Sequence, residues 1–139
     1  MLHEEICTYE VCKLAKEKGF NKYEACNHIY EDGTQWHTLT TYTNAKGIDW
    51  SKDKFTVAPA QALLQRWLRE VHNLHIDVGV WEDRDEDADG LCCGIYSYWS
   101  FNIQSCFTGD LIYEEFDHRY DTYELALEDG LKYALETLI

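Results

Sequence analysis

One change of period constrains this chain more than any other feature of its sequence. In "APAQALLQRWLREVHN", residues 58–73, apolar residues recur at the i, i+3, i+4 and i+7 spacing of an amphipathic helix. Asn73 suits the left-handed stop of such a helix, and the residues after it alternate, with Leu74, Ile76, Val78 and Val80 on the apolar side. The sequence therefore predicts a helix over 58–72 that leads directly into a strand with one buried face.

Weaker patterns predict the other elements. "TYEVCKLAKEKGF" predicts a first helix capped by Thr8 and ended by Gly19. Two β-rich runs around Asp32-Gly33 predict a hairpin, and residues 44–57 predict a loop. The run "GIYSYWSFNIQSC" alternates with an apolar side made of Ile95, Trp99, Phe101 and Ile103. "LIYEEF" predicts a last strand, and a closing helix begins at Asp121 or Thr122, with Tyr123 in its buried stripe.

The order of these elements, α-β-β-α-β-β-β-α, predicts the fold class. Strands joined by short turns favour an α+β, two-layer protein, in which helices pack on one face of a mainly antiparallel sheet. The chain has 139 residues, of which 45% are hydrophobic, and a single proline. Since that is enough for one core and leaves no linker, we expect a single domain over residues 1–139.

Charge narrows the functional classes. The chain has 26 acidic and 12 basic residues, for a net charge of −14. Because such a field repels phosphate, direct binding of nucleic acid is disfavoured. The first residues do not form a signal peptide, and no apolar run has the length of a membrane span, so we expect a cytoplasmic protein with no membrane contact. Its six cysteines are expected to be thiols in that compartment.

The acidic stretch "EDRDEDADG", residues 82–90, resembles half of a calcium-binding loop. Asp85, Asp87, Asp89 and Gly90 match the first positions of an EF-hand, but Tyr96 falls where a bidentate Glu is needed. Both flanks also read as strands rather than helices. A hairpin turn is therefore favoured, no metal site is predicted, and cation binding through residues 83–90 stays an alternative.

Other chemical patterns are incomplete. The cysteines form no CxxC pair, and nothing close in sequence completes a zinc shell around Cys26 and His28, so buried apolar thiols are expected. His75 and Asp77 lie two apart on one strand face and suit an acid–base pair, but no nucleophile motif or phosphate-binding loop accompanies them. No cofactor is predicted. A small-ligand site or enzyme around His75 and Asp77 stays an alternative.

The outward face of the predicted strands combines aromatic and polar side chains. Trp81, Tyr96 and Tyr98 are expected beside four polar residues, His75, Asp77, Ser100 and Asn102. Rigid rings in polar surroundings are typical of recognition surfaces. The alternative is that another segment, such as residues 44–57, simply covers this face.

Three segments carry a resemblance to a known family. "TYEVCKLAKEKGF", "APAQALLQRWLREVHNLHIDV" and "YDTYELALEDGLKYALETLI" resemble a family of small proteins from phages and mobile elements of gut-dwelling anaerobic bacteria. The resemblance covers about half of the chain and implies neither catalytic residues nor a cofactor. It implies an accessory protein that acts inside a bacterial host cell.

The favoured hypothesis is therefore a non-catalytic protein that acts by binding, as an acidic inhibitor of a host nucleic-acid-binding or defence protein. Its partner is expected to have a basic surface. The predicted partner-binding residues are Asp85, Asp87, Asp89, Trp81, Tyr96 and Tyr98. Carboxylates of the closing helix are expected to add to this surface, at Glu124, Glu128, Asp129 and Glu136.

Overall fold

A computed structural model describes residues 5–22, 25–31, 35–38 and 55–139. These residues form an α+β protein with antiparallel sheets, which confirms the predicted fold class. The elements in chain order are α1 (Tyr9–Glu17), β1 (His28–Glu31), β2 (Gln35–Thr38), β3 (Phe55–Ala58), α2 (Gln61–His72), β4 (Leu74–Glu86), β5 (Cys92–Ser105), β6 (Leu111–Glu114) and α3 (Tyr123–Tyr133). A π-helical turn, Ala134–Leu138, continues α3.

The strands form two sheets rather than one. β2, β1 and β3 make the first sheet in that spatial order, and β4, β5 and β6 make the second. β3 lies at the end of the predicted loop over 44–57, and Thr56, Val57 and Ala58 are all buried. A strand buried on both faces shows no alternation, so its sequence gives no period-two signal. The rest of that loop and the Asp32-Gly33 turn lie outside the described residues.

Three helix ends lie where the sequence predicts them. The hydroxyl of Thr8 caps α1 by accepting the N–H of Val11 at 3.5 Å. Asn73 ends α2 in the left-handed conformation, with a φ of 59°. The hydroxyl of Thr122 accepts the N–H of Leu125 at 3.2 Å. α2 begins at Gln61, not at residue 58 as predicted, because residues 58–60 continue the extended chain of β3.

The main core lies between α2, α3 and the inner face of the second sheet. Its largest fully buried side chains include Leu64, Leu68, Ile76, Phe101, Ile103, Leu127 and Leu131. Trp67 adds an edge-to-face contact with Phe20, the ring centroids lying 5.5 Å apart. Tyr123, predicted to be buried, is exposed at the start of α3, where its ring packs edge-to-face against Trp99.

The hairpin of β4 and β5 is longer than the core that covers it. Its residues near Leu74 and Ile103 are buried, whereas Val80 and Ile95, on the same face, are each 54% exposed. We call residues 80–98, the outer part of this hairpin with its turn, the acidic ribbon. It pairs over seven residues of β4, which at about 3.3 Å per residue reach roughly 20 Å from the core.

No helix within the described ranges combines the length and the apolar character that crossing a bilayer requires.

Candidate partner-binding face on the acidic ribbon

Strand register brings the predicted recognition residues together. Directly opposed residues of an antiparallel pair share one face of the sheet. Trp81 lies opposite Tyr98, Asp83 opposite Tyr96, and Asp85 opposite Gly94. The outer face of the ribbon therefore carries Trp81, Asp83, Asp85, Tyr96 and Tyr98, which we call the aromatic–acidic face.

Two glycines let the rings lie flat along this face. A Cβ atom on Gly79 would lie 3.2 Å from Cζ3 of Trp81, and one on Gly94 would lie 3.3 Å from the hydroxyl of Tyr96. Each ring thus covers a glycine two residues earlier in its own strand, where no side chain competes for the space. Covering glycine with an aromatic ring is a known way to stabilise exposed strands. It also presents the flat side of each ring to a partner.

Arg119 of the same chain occupies part of the aromatic–acidic face. Its guanidinium forms an ion pair with Asp83, and its Cζ atom lies 5.2 Å from the ring centroid of Tyr98. The backbone holds Arg119 there, because Tyr120 and Trp99 exchange two hydrogen bonds of 2.9 and 3.0 Å at the edge of β5. The face therefore already binds one cationic side chain through a carboxylate and an aromatic ring.

The carboxylate of Glu115 organises the turn that leads to Arg119. It accepts the hydroxyl of Tyr113 at 2.7 Å and the N–H of Asp117 at 2.9 Å. Burial works to raise the pKa of Glu115, but these hydrogen bonds outweigh it and hold that pKa below the ordinary value of 4.5. The hydrogen bond between the Tyr113 hydroxyl and Glu115 also raises the pKa of Tyr113, to about 12.

Towards the core the outer face is more polar and partly covered. Asp77 lies opposite Asn102, and His75 opposite Gln104. Ser100 lies on the outward face as predicted but is covered there, because the chain at residue 115 passes over it and its hydroxyl donates to the carbonyl of Glu115 at 3.2 Å. The predicted cover, residues 44–57, lies largely outside the described residues.

The alternative acid–base pair is not formed by hydrogen bonding. Nδ1 of His75 is buried without a hydrogen-bond partner in the described part of the chain, so it does not bond to Asp77. His72, at the end of α2, packs its ring 4.7 Å from that of Trp67. Nε2 of His72 is likewise buried without a hydrogen-bond partner among the described residues, so packing against Trp67 holds this ring.

The tip of the ribbon is a tight turn that uses one of the predicted carboxylates. Oδ1 of Asp87 accepts the N–H groups of Asp89 and Leu91, both at 2.9 Å. Gly90 supplies the positive φ, 79°, that closes the turn. All three carboxylates are exposed; Asp85 lies back in β4 and Asp89 at the tip, and Asp87 is the one that accepts these backbone hydrogen bonds.

Potential metal ligands are dispersed within the part of the chain that the structure describes. No three His, Cys, Asp or Glu side chains in the described ranges are grouped to hold an ion. All six cysteines are free; Cys7, Cys12 and Cys26 are buried as expected, while Cys92, Cys93 and Cys106 are exposed. The exposed three do not fit the prediction of buried thiols, because two of them lie on the ribbon and one follows β5.

Two of the helix carboxylates predicted for partner binding have internal roles. Glu128 accepts the N–H of Thr8 at 2.7 Å and the amide of Gln61 at 2.8 Å. Asp129 accepts the hydroxyl of Tyr120 at 2.7 Å. Only Glu124 and Glu136 of that set are exposed without such bonds among the described residues.

Sequence reasoning missed Arg119 and the two glycines. The glycines had a signal, since Gly79 with Trp81 and Gly94 with Tyr96 each pair a glycine with a ring at the same-face spacing of two. Arg119 had no such signal in the sequence, because its contact depends on how the segment after β6 returns along β5.

Comparison of the chain with protein-family models, with curated proteins and with solved structures finds no match.

Proposed function

We propose that this protein acts by binding, without catalysis, and that its aromatic–acidic face receives Lys or Arg side chains from the basic surface of a partner protein. The observation that carries the proposal is Arg119, whose guanidinium pairs with Asp83 and lies over the ring of Tyr98. A face that holds a cationic side chain of its own chain has the chemistry to hold those of another.

The electrostatics of the ribbon support the same function. Residues 82–90 contain six acidic side chains and one arginine. Asp85 and Asp89 are exposed, and the net charge of the chain is −14. Such a field speeds the approach of a basic partner, while the rings of Trp81, Tyr96 and Tyr98 supply rigid contact area.

The setting proposed for this activity follows the family resemblance. The protein would act in the cytoplasm of a bacterial host, as a phage or mobile-element accessory protein. A basic surface is the electrostatic footprint of a protein that binds nucleic acid. Occupying it would inhibit that host protein, without direct contact between this chain and nucleic acid.

The test is capture of partners from a host lysate, followed by binding kinetics at low and high salt with the partner identified. Replacing Asp85, Asp87 and Asp89 by Asn should weaken binding by about tenfold at low salt, mainly through the association rate. The turn should survive, because an Asn carbonyl at position 87 still accepts the two N–H groups.

A matched control distinguishes the effect of carboxylates on the ribbon from the effect of net charge on binding. The triple change Glu5→Gln, Glu17→Gln and Asp110→Asn removes the same three charges from exposed positions outside the ribbon. The two triple changes are also compared at physiological salt, where charges more than roughly 8 Å apart are screened. The control should then stay within about twofold of wild type, and the ribbon change should still weaken binding more than the control. A partner whose binding is indifferent to salt and to the ribbon change, or is weakened equally by both triple changes, would contradict the proposed function.

A further inference from the structure

Three hydrogen bonds show which backbone N–H and C=O groups of the β4–β5 hairpin point away from the partner strand. Both the N–H and the C=O of Trp99 bond to Tyr120, and the C=O of Phe101 accepts the N–H of Glu115, so these groups point away from β4. In an antiparallel pair, residues opposite such positions also point their groups away from the partner strand. Val80 lies opposite Trp99 and Val78 opposite Phe101, so their backbone groups face the outer edge of β4.

A fourth contact agrees with this assignment. The carbonyl of Ile76, two residues before Val78, accepts the side-chain amide of Gln65 at 2.7 Å from outside the sheet. Beyond that cap, the outward groups belong to Val78, Val80, Glu82 and Arg84. In the described residues no backbone group pairs with them, since β4 pairs only with β5.

An open edge of this kind is a template for another strand, and the side chains beside it decide which strand fits. Asp77, Asp83 and Asp85 lie on the outer face of β4, with Trp81 between them, and the other face carries Val78 and Val80. A second copy pairing through the same edge would oppose carboxylate to carboxylate, which is destabilising. An extended segment with basic residues on one face and apolar residues on the other matches both faces.

We propose that the partner supplies an extended segment of alternating Lys or Arg and apolar residues, which adds as a strand along the outer edge of β4. This inference rests on the proposed function and names the way in which that face is used. Residues opposite Val78 and Val80 place apolar side chains beside them and donate their N–H groups to β4. The intervening basic residues reach Asp77, Asp83 and Asp85.

The probe is an alternating Lys-Val octapeptide, titrated against the full chain at low salt. In the proposed register the valine N–H groups point to β4, and the lysine N–H groups point to solvent. N-methylation of every valine should therefore weaken binding by about tenfold or more, whereas N-methylation of every lysine should change it by less than about twofold. The two methylated peptides have the same composition and charge.

The matched change in the protein is Val80→Pro, with Val80→Thr as its control. Proline removes one outward N–H and places a ring on that edge, and edge strands tolerate it there. Proline should weaken binding of the unmodified peptide by about tenfold, and threonine by less than about threefold. Circular dichroism and tryptophan fluorescence check that both variants keep the hairpin.

The outcomes distinguish the two proposals. Loss of binding with methylated valine and with Val80→Pro supports strand addition. Binding that depends on Asp83 and Asp85 but ignores both backbone blocks overturns strand addition and leaves the proposed function standing. No binding of the octapeptide at about 1 mM also overturns strand addition. Salt-dependent capture of a full-length partner then judges the proposed function separately.

Discussion

The guanidinium of Arg119 lies over the ring of Tyr98, with Cζ 5.2 Å from the ring centroid, and closes an ion pair with Asp83 on the neighbouring strand. This contact joins the segment after β6 to the base of the acidic ribbon. It also means that part of the aromatic–acidic face is occupied before any partner arrives.

Removing Arg119 should therefore strengthen partner binding. Arg119→Ala frees Asp83 and the Tyr98 ring, and we expect the affinity for a basic partner to rise by about three- to tenfold. The free energy of unfolding should change by less than about 1 kcal/mol, because the guanidinium of the pair is largely exposed. Arg66→Ala, in the exposed pair with Glu70, changes the net charge equally and should leave affinity near wild type.

Trp67 is a buried aromatic side chain that α2 contributes to the core. It is 4% exposed and packs against Phe20 and His72. Trp67→Ala should lower the free energy of unfolding by about 3–5 kcal/mol, as loss of a large buried ring leaves a cavity. Chemical denaturation measures this value, and a nearly neutral result would mean that α2 presents a different face to the core.

Gly130 sets how closely α3 approaches the second sheet. A Cβ atom there would lie 2.7 Å from Cγ2 of Ile76 and 3.2 Å from Cδ2 of Phe101. Alanine gains about 1 kcal/mol of helix propensity, but overpacking of a buried site costs about 1–3 kcal/mol. Gly130→Ala should thus destabilise the protein by about 1 kcal/mol in thermal or chemical unfolding. Leu125→Ala, on the exposed side of α3, should stay within about 0.5 kcal/mol of wild type.

Glu115 should make stability depend on pH. Its pKa is lowered in the folded state, so its contribution is present above the unfolded pKa and is lost as pH falls through the folded value. Glu115→Gln should reduce stability at pH 7 by about 1–3 kcal/mol, since the amide offers one neutral acceptor oxygen in place of the two charged oxygens that accept from Tyr113 and Asp117. The difference from wild type should shrink in the acid range below about pH 4.5.

Glu114→Gln is the control for that experiment. Its carboxylate accepts no hydrogen bond in the described part of the chain, so Glu114→Gln should change the stability at pH 7 little. A wild-type minus Glu115→Gln difference that does not vary between pH 7 and the acid range would contradict the assigned role of Glu115.

The parts of the fold that were predictable are those with a clear period and clear ends. The switch from helix to strand at Asn73 is visible because α2 and the start of β4 each have one buried face. β3 was not predictable, because its buried residues face two layers. The limit of the core was also invisible, since Val80 and Ile95 keep the alternation after the helices that would cover them have ended.

The candidate site was predictable to the extent that it is local. Alternation alone put Trp81, Tyr96 and Tyr98 on one face, and pairing across the hairpin then aligned them. The role of Asp87 as an acceptor within its own turn follows from geometry that composition does not express. Arg119 joins the face through a return of the chain over residues 115–120, which no short pattern encodes.

The separation of the acidic ribbon from the core has an evolutionary consequence. Substitutions at its exposed positions that cover no glycine, such as Leu91 and Ile95, remove little buried area and so cost little stability. Selection for partner recognition can therefore act there without opposition from selection for folding. Between lineages, the ribbon is where we expect residue identities to diverge fastest, while Gly79 and Gly94, which seat the rings, are retained.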